Sequence, residues 1–98
     1  MNLLAETIED LESHGKCIMD VRWFGTTEYV IDCDIQKLFD VDYDSGYGGN
    51  EIPMDLVVVG EDFWLERHEY DGSEWWEYKK FPKKPDQVKS LVKLISDE

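Results

Sequence analysis

The sequence predicts an α+β fold: a single small domain in which an antiparallel sheet packs with helices at the N- and C-terminal ends. Three observations lead there. Ninety-eight residues suit one core and are too few for two. Apolar residues recur with helical spacing near both ends, and strand-like runs with short links lie between them. At 42% hydrophobic residues, with four Trp, five Tyr and four Phe, the chain carries enough apolar surface to fold without disulfides or a structural metal.

Leu4, Ile8 and Leu11 stand at i, i+4 and i+7, and Gly15 follows as a stop, so residues 3–14 read as an amphipathic helix capped by Asn2. "CIMDVRWFG" (17–25) and "EYVID" (28–32) are rich in β-branched and aromatic residues around Gly25-Thr26-Thr27, which predicts a hairpin of two short strands. "DCDIQKLFD" (32–40) opens with capping aspartates and sets Ile35, Leu38 and Phe39 on one side, as a two-turn helix would. "DSGYGGN" (44–50) is a loop. The runs "DLVVVG", "FWLERHEY" and "EWWEYKKF" are separated by Gly60-Glu61-Asp62 and Asp71-Gly72 and form an antiparallel meander. After Pro82, Pro85 suits a first helical position, and Val88, Leu91, Val92 and Ile95 form a stripe. The order is α-β-β-α-β-β-β-α over one domain, residues 1–98.

The last hairpin, "HEYDGSEWWEYKK", has two possible registers. A two-residue turn at Asp71-Gly72 sets Glu66 opposite Glu77 and Glu69 opposite Glu74, and directly opposed like charges destabilise. A four-residue loop from Asp71 to Glu74 pairs Tyr70 with Trp75, His68 with Glu77, Glu66 with Lys79 and Trp64 with Phe81. The charges favour the second, although Asp-Gly is itself a two-residue turn signal. In that register Trp64, Glu66, His68, Tyr70, Trp75, Glu77, Lys79 and Phe81 share a face, and Leu65, Arg67, Trp76 and Tyr78 take the other. Aromatic anchors within a polar rim are the composition of an interaction surface. They are equally what a small core and its edge would use.

Charge is the most unusual property. The net charge is −13, and it is unevenly spread. Residues 1–78 hold twenty acids against Lys16, Arg22, Lys37 and Arg67, whereas residues 79–98 hold six lysines against three acids. Such a body repels nucleic-acid phosphate and attracts proteins that bind nucleic acid; acidity also serves plain solubility. Cys17 and Cys33 show no CxxC spacing, no basic and apolar leader is present, and the longest apolar run is the four residues Leu56 to Val59. The expectation is a cytoplasmic protein without a membrane span.

Three constellations could carry chemistry. In "DVDYDSGYGGNE" (40–51), Asp40, Asp42, Asp44, Gly46 and Glu51 match positions 1, 3, 5, 7 and 12 of a calcium loop. Ser45 stands where the sharp turn needs glycine, and Pro53 ahead of Leu56–Gly60 forbids the exiting helix, so the stretch reads as an acidic patch. His14, Cys17, Cys33 and His68 are a nominal zinc set with only the first two near in sequence. Glu66, Glu69, Glu74 and Glu77 around His68 could act as acid and base, but no phosphate loop, nucleophile elbow or metal box accompanies them. No cofactor and no enzyme activity are expected.

Short length and high acidity, with "VDYDSGYGGNEI" followed by "WLERHEYDGSEWWEYKK", resemble small uncharacterised phage and prophage proteins of Gram-positive bacteria. This resemblance implies an accessory protein of the anti-CRISPR kind, in which acidic side chains imitate DNA. The leading expectation is an inhibitor that binds a basic, nucleic-acid-binding host protein such as a CRISPR nuclease. Asp40, Asp42, Asp44 and Glu51 would supply phosphate-like charge, Trp64, Tyr70, Trp75 and Trp76 the anchors, and Glu66, Glu74 and Glu77 the rim. An immunity protein against a basic toxin nuclease fits the same acidity. A calcium-binding module at residues 40–51 and a small hydrolase are alternatives of other classes.

Overall fold

The computed structural model describes residues 1–43 and 52–90. Helix α1 (Leu3–Ser13) is followed by a 3-10 turn (Ile18–Asp20), strand β1 (Trp23–Gly25), the one-turn helix α2 (Ile35–Leu38) and strands β2 (Val57–Val59), β3 (Phe63–Tyr70) and β4 (Ser73–Lys80). The strands form one antiparallel sheet in the order β1-β2-β3-β4. The domain is α+β, as the sequence predicts.

Helix α1 starts where expected because the Asn2 side chain accepts from the Ala5 N–H at 3.0 Å. Its buried stripe is Leu3, Thr7 and Leu11: Leu11 is buried as predicted, while Leu3 and Thr7 stand in place of Leu4 and Ile8, with Leu4 packed at the margin. Leu3 and Leu11 meet Phe24, Val58, Phe63, Leu65 and Trp76 from the sheet and Phe39, the residue that caps the end of α2, in one core.

The predicted first hairpin is reduced to a bridge. Gly25 pairs with Val30, and the Ile31 N–H donates to the Phe24 carbonyl at 2.9 Å, but residues 28–32 form no strand. Tyr29 and Val30 are exposed, so this return segment buries only Ile31 and has little to hold it as a sheet member. Strand β1 instead pairs with β2, Phe24 opposite Val58, both buried. Gly25 is required there: a Cβ would lie 2.3 Å from the Tyr29 carbonyl oxygen. The predicted two-turn helix at 32–40 is a single turn capped by Asp34.

The start of the predicted C-terminal helix is a second departure. Residues 82–90 contain no helix and are all exposed, Val88 among them; Leu91, Val92 and Ile95 lie outside the described residues. Residues 85–90 bury no side chain, and a short helix gains little without a packed face.

The third correction concerns register. Asp71 and Gly72 make the two-residue turn, with φ of 53° and 85°, and Tyr70 pairs with Ser73, His68 with Trp75, Glu66 with Glu77 and Trp64 with Lys79. Two successive positive φ values are the mirror-image turn that matches strand twist, which Asp-Gly favours. The opposed pairs are tolerated because in each at least one glutamate has another partner. Glu74 pairs with Arg67, and His68 sits between Glu66 and Glu77, with Lys79 beside the latter. The preferred and observed registers differ by two residues, so every side chain keeps its predicted face.

Candidate functional site

The two faces of the β3–β4 hairpin do different work. On the inner face, under α1, Arg67 is buried at the centre of a polar cluster. Its Nη1 donates to Glu6 Oε1 at 3.3 Å and its Nη2 to Glu74 Oε1 and the Tyr43 hydroxyl, both at 3.0 Å. Its guanidinium lies 4.7 Å from the Trp76 ring centroid and 5.4 Å from that of Tyr43. The Tyr43 hydroxyl donates onward to Glu6. Burial opposes the charge on Arg67, but the bond to Tyr43 and the carboxylates of Glu6 and Glu74 outweigh it, so its pKa is raised. Burial, reinforced by the bond to Glu6, pushes the Tyr43 phenol up to about 12.

Trp76 completes this layer by donating its indole N–H to Thr7 at 2.8 Å. Glu74 and Trp76, expected on the partner surface, are each only 3% exposed and belong to the interior. Alternation along the strand put Trp75 and Trp76 on opposite faces; which face α1 would cover was not legible. Thr7, Tyr43 and Glu6 were missed altogether, because their roles depend on contacts from distant parts of the chain.

The outer face carries Trp23, Trp64, Tyr70, Trp75 and Phe81. Strand pairing sets Trp23 beside Val59, Val59 beside Trp64 and Trp64 beside Lys79, a row across all four strands. Trp23 is 40% exposed, and the Phe81 ring, 54% exposed, lies 4.8 Å from that of Trp64. Next to this row, Trp64 Nε1 donates to Glu66 Oε1 at 2.7 Å, and His68 Nε2 lies 2.6 Å from Glu66 Oε2. Trp75 Nε1 donates to Glu77 Oε2 at 3.3 Å, and Lys79 pairs with Glu77 at 3.4 Å. The indole N–H of Trp64, with help from His68 and Lys79, holds the Glu66 carboxyl below its usual range against partial burial. Tyr70 stands at the hairpin end, 76% exposed. The outer face therefore brings together Trp64, Glu66, Tyr70, Trp75 and Glu77 of the predicted surface. Trp23 joins them only through the β1–β2 pairing.

The acidic stretch belongs elsewhere. Asn2 Nδ2 donates to Asp40 Oδ1 at 3.0 Å and to Asp42 Oδ1 at 3.1 Å, so both aspartates lie at the N-terminus of α1, on the inner side of the sheet. There they complement the helix dipole. Asp44 and Glu51, and with them the calcium-loop template, lie outside the described residues. Among the described residues no group of three His, Cys, Asp or Glu side chains could hold a metal ion, so the nominal zinc set is not assembled. His14 instead stacks on Tyr78 at 4.0 Å, and the Cys17 N–H donates to Asp20 Oδ2 at 2.9 Å. No described helix is long and apolar enough to cross a membrane. Set against protein-family models, curated proteins and solved structures, the chain matches none.

Proposed function

We propose that the protein is a small phage-type inhibitor that acts by binding, not catalysis, in the host cytoplasm. Its target is a basic, nucleic-acid-binding host protein such as a CRISPR nuclease. The observation that supports this reading is the outer sheet face. Trp23, Trp64, Trp75 and Phe81 stand there among Glu66, Glu77 and Lys79. Aromatic anchors ringed by charge are the residues that carry binding energy in protein interfaces. A net charge of −13 would speed encounter with a basic groove and make the association salt-dependent. Asp40 and Asp42 contribute to that general field and not to the contact face.

A direct test is inhibition of DNA cleavage by a purified CRISPR nuclease, with and without the protein, at low and moderate salt. Inhibition that weakens with salt and is lost in a Trp64→Ala, Trp75→Ala double variant is the expected result. Unimpaired cleavage, together with no binding to basic nucleases of host or toxin origin, would remove the proposal.

A further inference from the structure

The protein already holds one arginine of its own in a definite way. On the inner face Arg67 stands directly opposite Trp76, its guanidinium 4.7 Å from the ring centroid, and donates to Glu74 and Glu6. The outer face also sets carboxylates beside indole rings, in an arrangement of its own. Trp64 and Glu66 stand two apart on β3 and are joined by an indole-to-carboxylate hydrogen bond of 2.7 Å. Trp75 and Glu77 repeat the spacing and the bond on β4, at 3.3 Å. These bonds keep each carboxylate at the edge of an indole ring. A carboxylate has about four acceptor sites, so Glu66 can take further donors beyond Trp64 and His68.

We infer that the outer face is a docking surface for an arginine-bearing segment of a partner protein. One guanidinium stacks on Trp64 and bonds Glu66, and Trp75 with Glu77 forms a second, parallel position. This rests on the binding role proposed above and narrows the partner's chemistry from basic to arginine-bearing. Charge complementarity makes the occupant cationic: Glu66 and Glu77 lie within a chain of net charge −13. Arginine is favoured over lysine because its planar, weakly hydrated guanidinium can stack on indole while bonding a carboxylate through two donors. The ammonium of lysine is a compact, hydrated charge. Lys79 shows the difference: directly opposite Trp64, it pairs with Glu77 instead.

The discriminating experiment uses two synthetic peptides of equal length and charge, one with arginines and the other with lysines at the same positions. Each is titrated into the full chain while the indole N–H signals of its four tryptophans are followed by NMR. The arginine peptide should bind about fivefold more tightly or better. It should shift the signals of Trp64 and Trp75 and leave that of Trp76 in place. Trp64→Leu should abolish the preference, and Glu66→Gln, which keeps the side-chain size, should reduce it should the first variant fail to fold. Equal affinities with Trp64 and Trp75 shifting would overturn the arginine preference and leave the binding face intact. No shift at either residue with either peptide would overturn both.

Discussion

Trp76 on β4 donates its indole N–H to the hydroxyl of Thr7 on α1 at 2.8 Å, across sixty-nine positions of sequence. Thr7 in turn donates to the Leu3 carbonyl at 2.7 Å, so one buried hydroxyl ties the edge strand to the first turn of the helix. Both residues are buried, Thr7 completely. Thr7→Val would leave a buried donor without a partner and should cost about 1–3 kcal/mol in urea unfolding. Thr7→Ser, which keeps the hydroxyl, should cost less.

The two adjacent tryptophans should respond differently to truncation. Trp76→Ala removes a core side chain and should cost ~3–5 kcal/mol. Trp75→Ala, on the outer face, should leave the fold near its original stability and weaken partner binding by about 2 kcal/mol or more if Trp75 is an anchor. Paired thermal melts and binding isotherms distinguish these; equal unfolding by both variants would contradict the division of faces.

Arg67 tests the inner cluster. Replacing it with Met keeps much of the volume over Trp76 but leaves Glu6 and Glu74 without the guanidinium they share. A loss of about 3–5 kcal/mol is expected, because the remaining buried carboxylate charge is no longer compensated. Adding Glu74→Gln should recover part of that loss, and a double-mutant cycle on chemical denaturation would show it.

The Tyr43 phenol, raised to about 12 by burial and then by its bond to Glu6, makes an alkaline prediction. Folding favours the protonated phenol, since its folded pKa exceeds the ordinary value of 10.0. Its contribution to stability is fully present below about pH 10 and is lost as pH rises through the folded value. An absorbance titration of phenolate should show a late step that is missing in Tyr43→Phe, and the variant's stability should fall less between pH 10 and 12.

The turn offers a local test. Gly72 has φ of 85°, so Gly72→Val places a β-branched residue in the left-handed region and should cost about 1 kcal/mol or more, with increased fraying of the Tyr70–Ser73 pair. Hydrogen exchange at the hairpin end measures the fraying directly.

Local chemistry determined a good deal by itself. Asn2 as the cap of α1, the three-strand meander and the opposite faces of Trp75 and Trp76 all follow from side-chain periodicity and capping, which act over a few residues. Even the misjudged register preserved those faces, because its error was an even number of residues. Only the tertiary structure decided which face is buried, since α1 and strand β3–β4 each present mixed patterns and the choice rests on Thr7, Tyr43 and Glu6 converging on Trp76 and Arg67. It also decided that β1 joins β2 and not the segment after it, which assembles Trp23, Val59 and Trp64 into one row. Of the like charges that argue against the true register, Glu74 is paired by Arg67 and Glu66 and Glu77 flank the His68 ring, contacts set by distances through space that linear spacing does not contain.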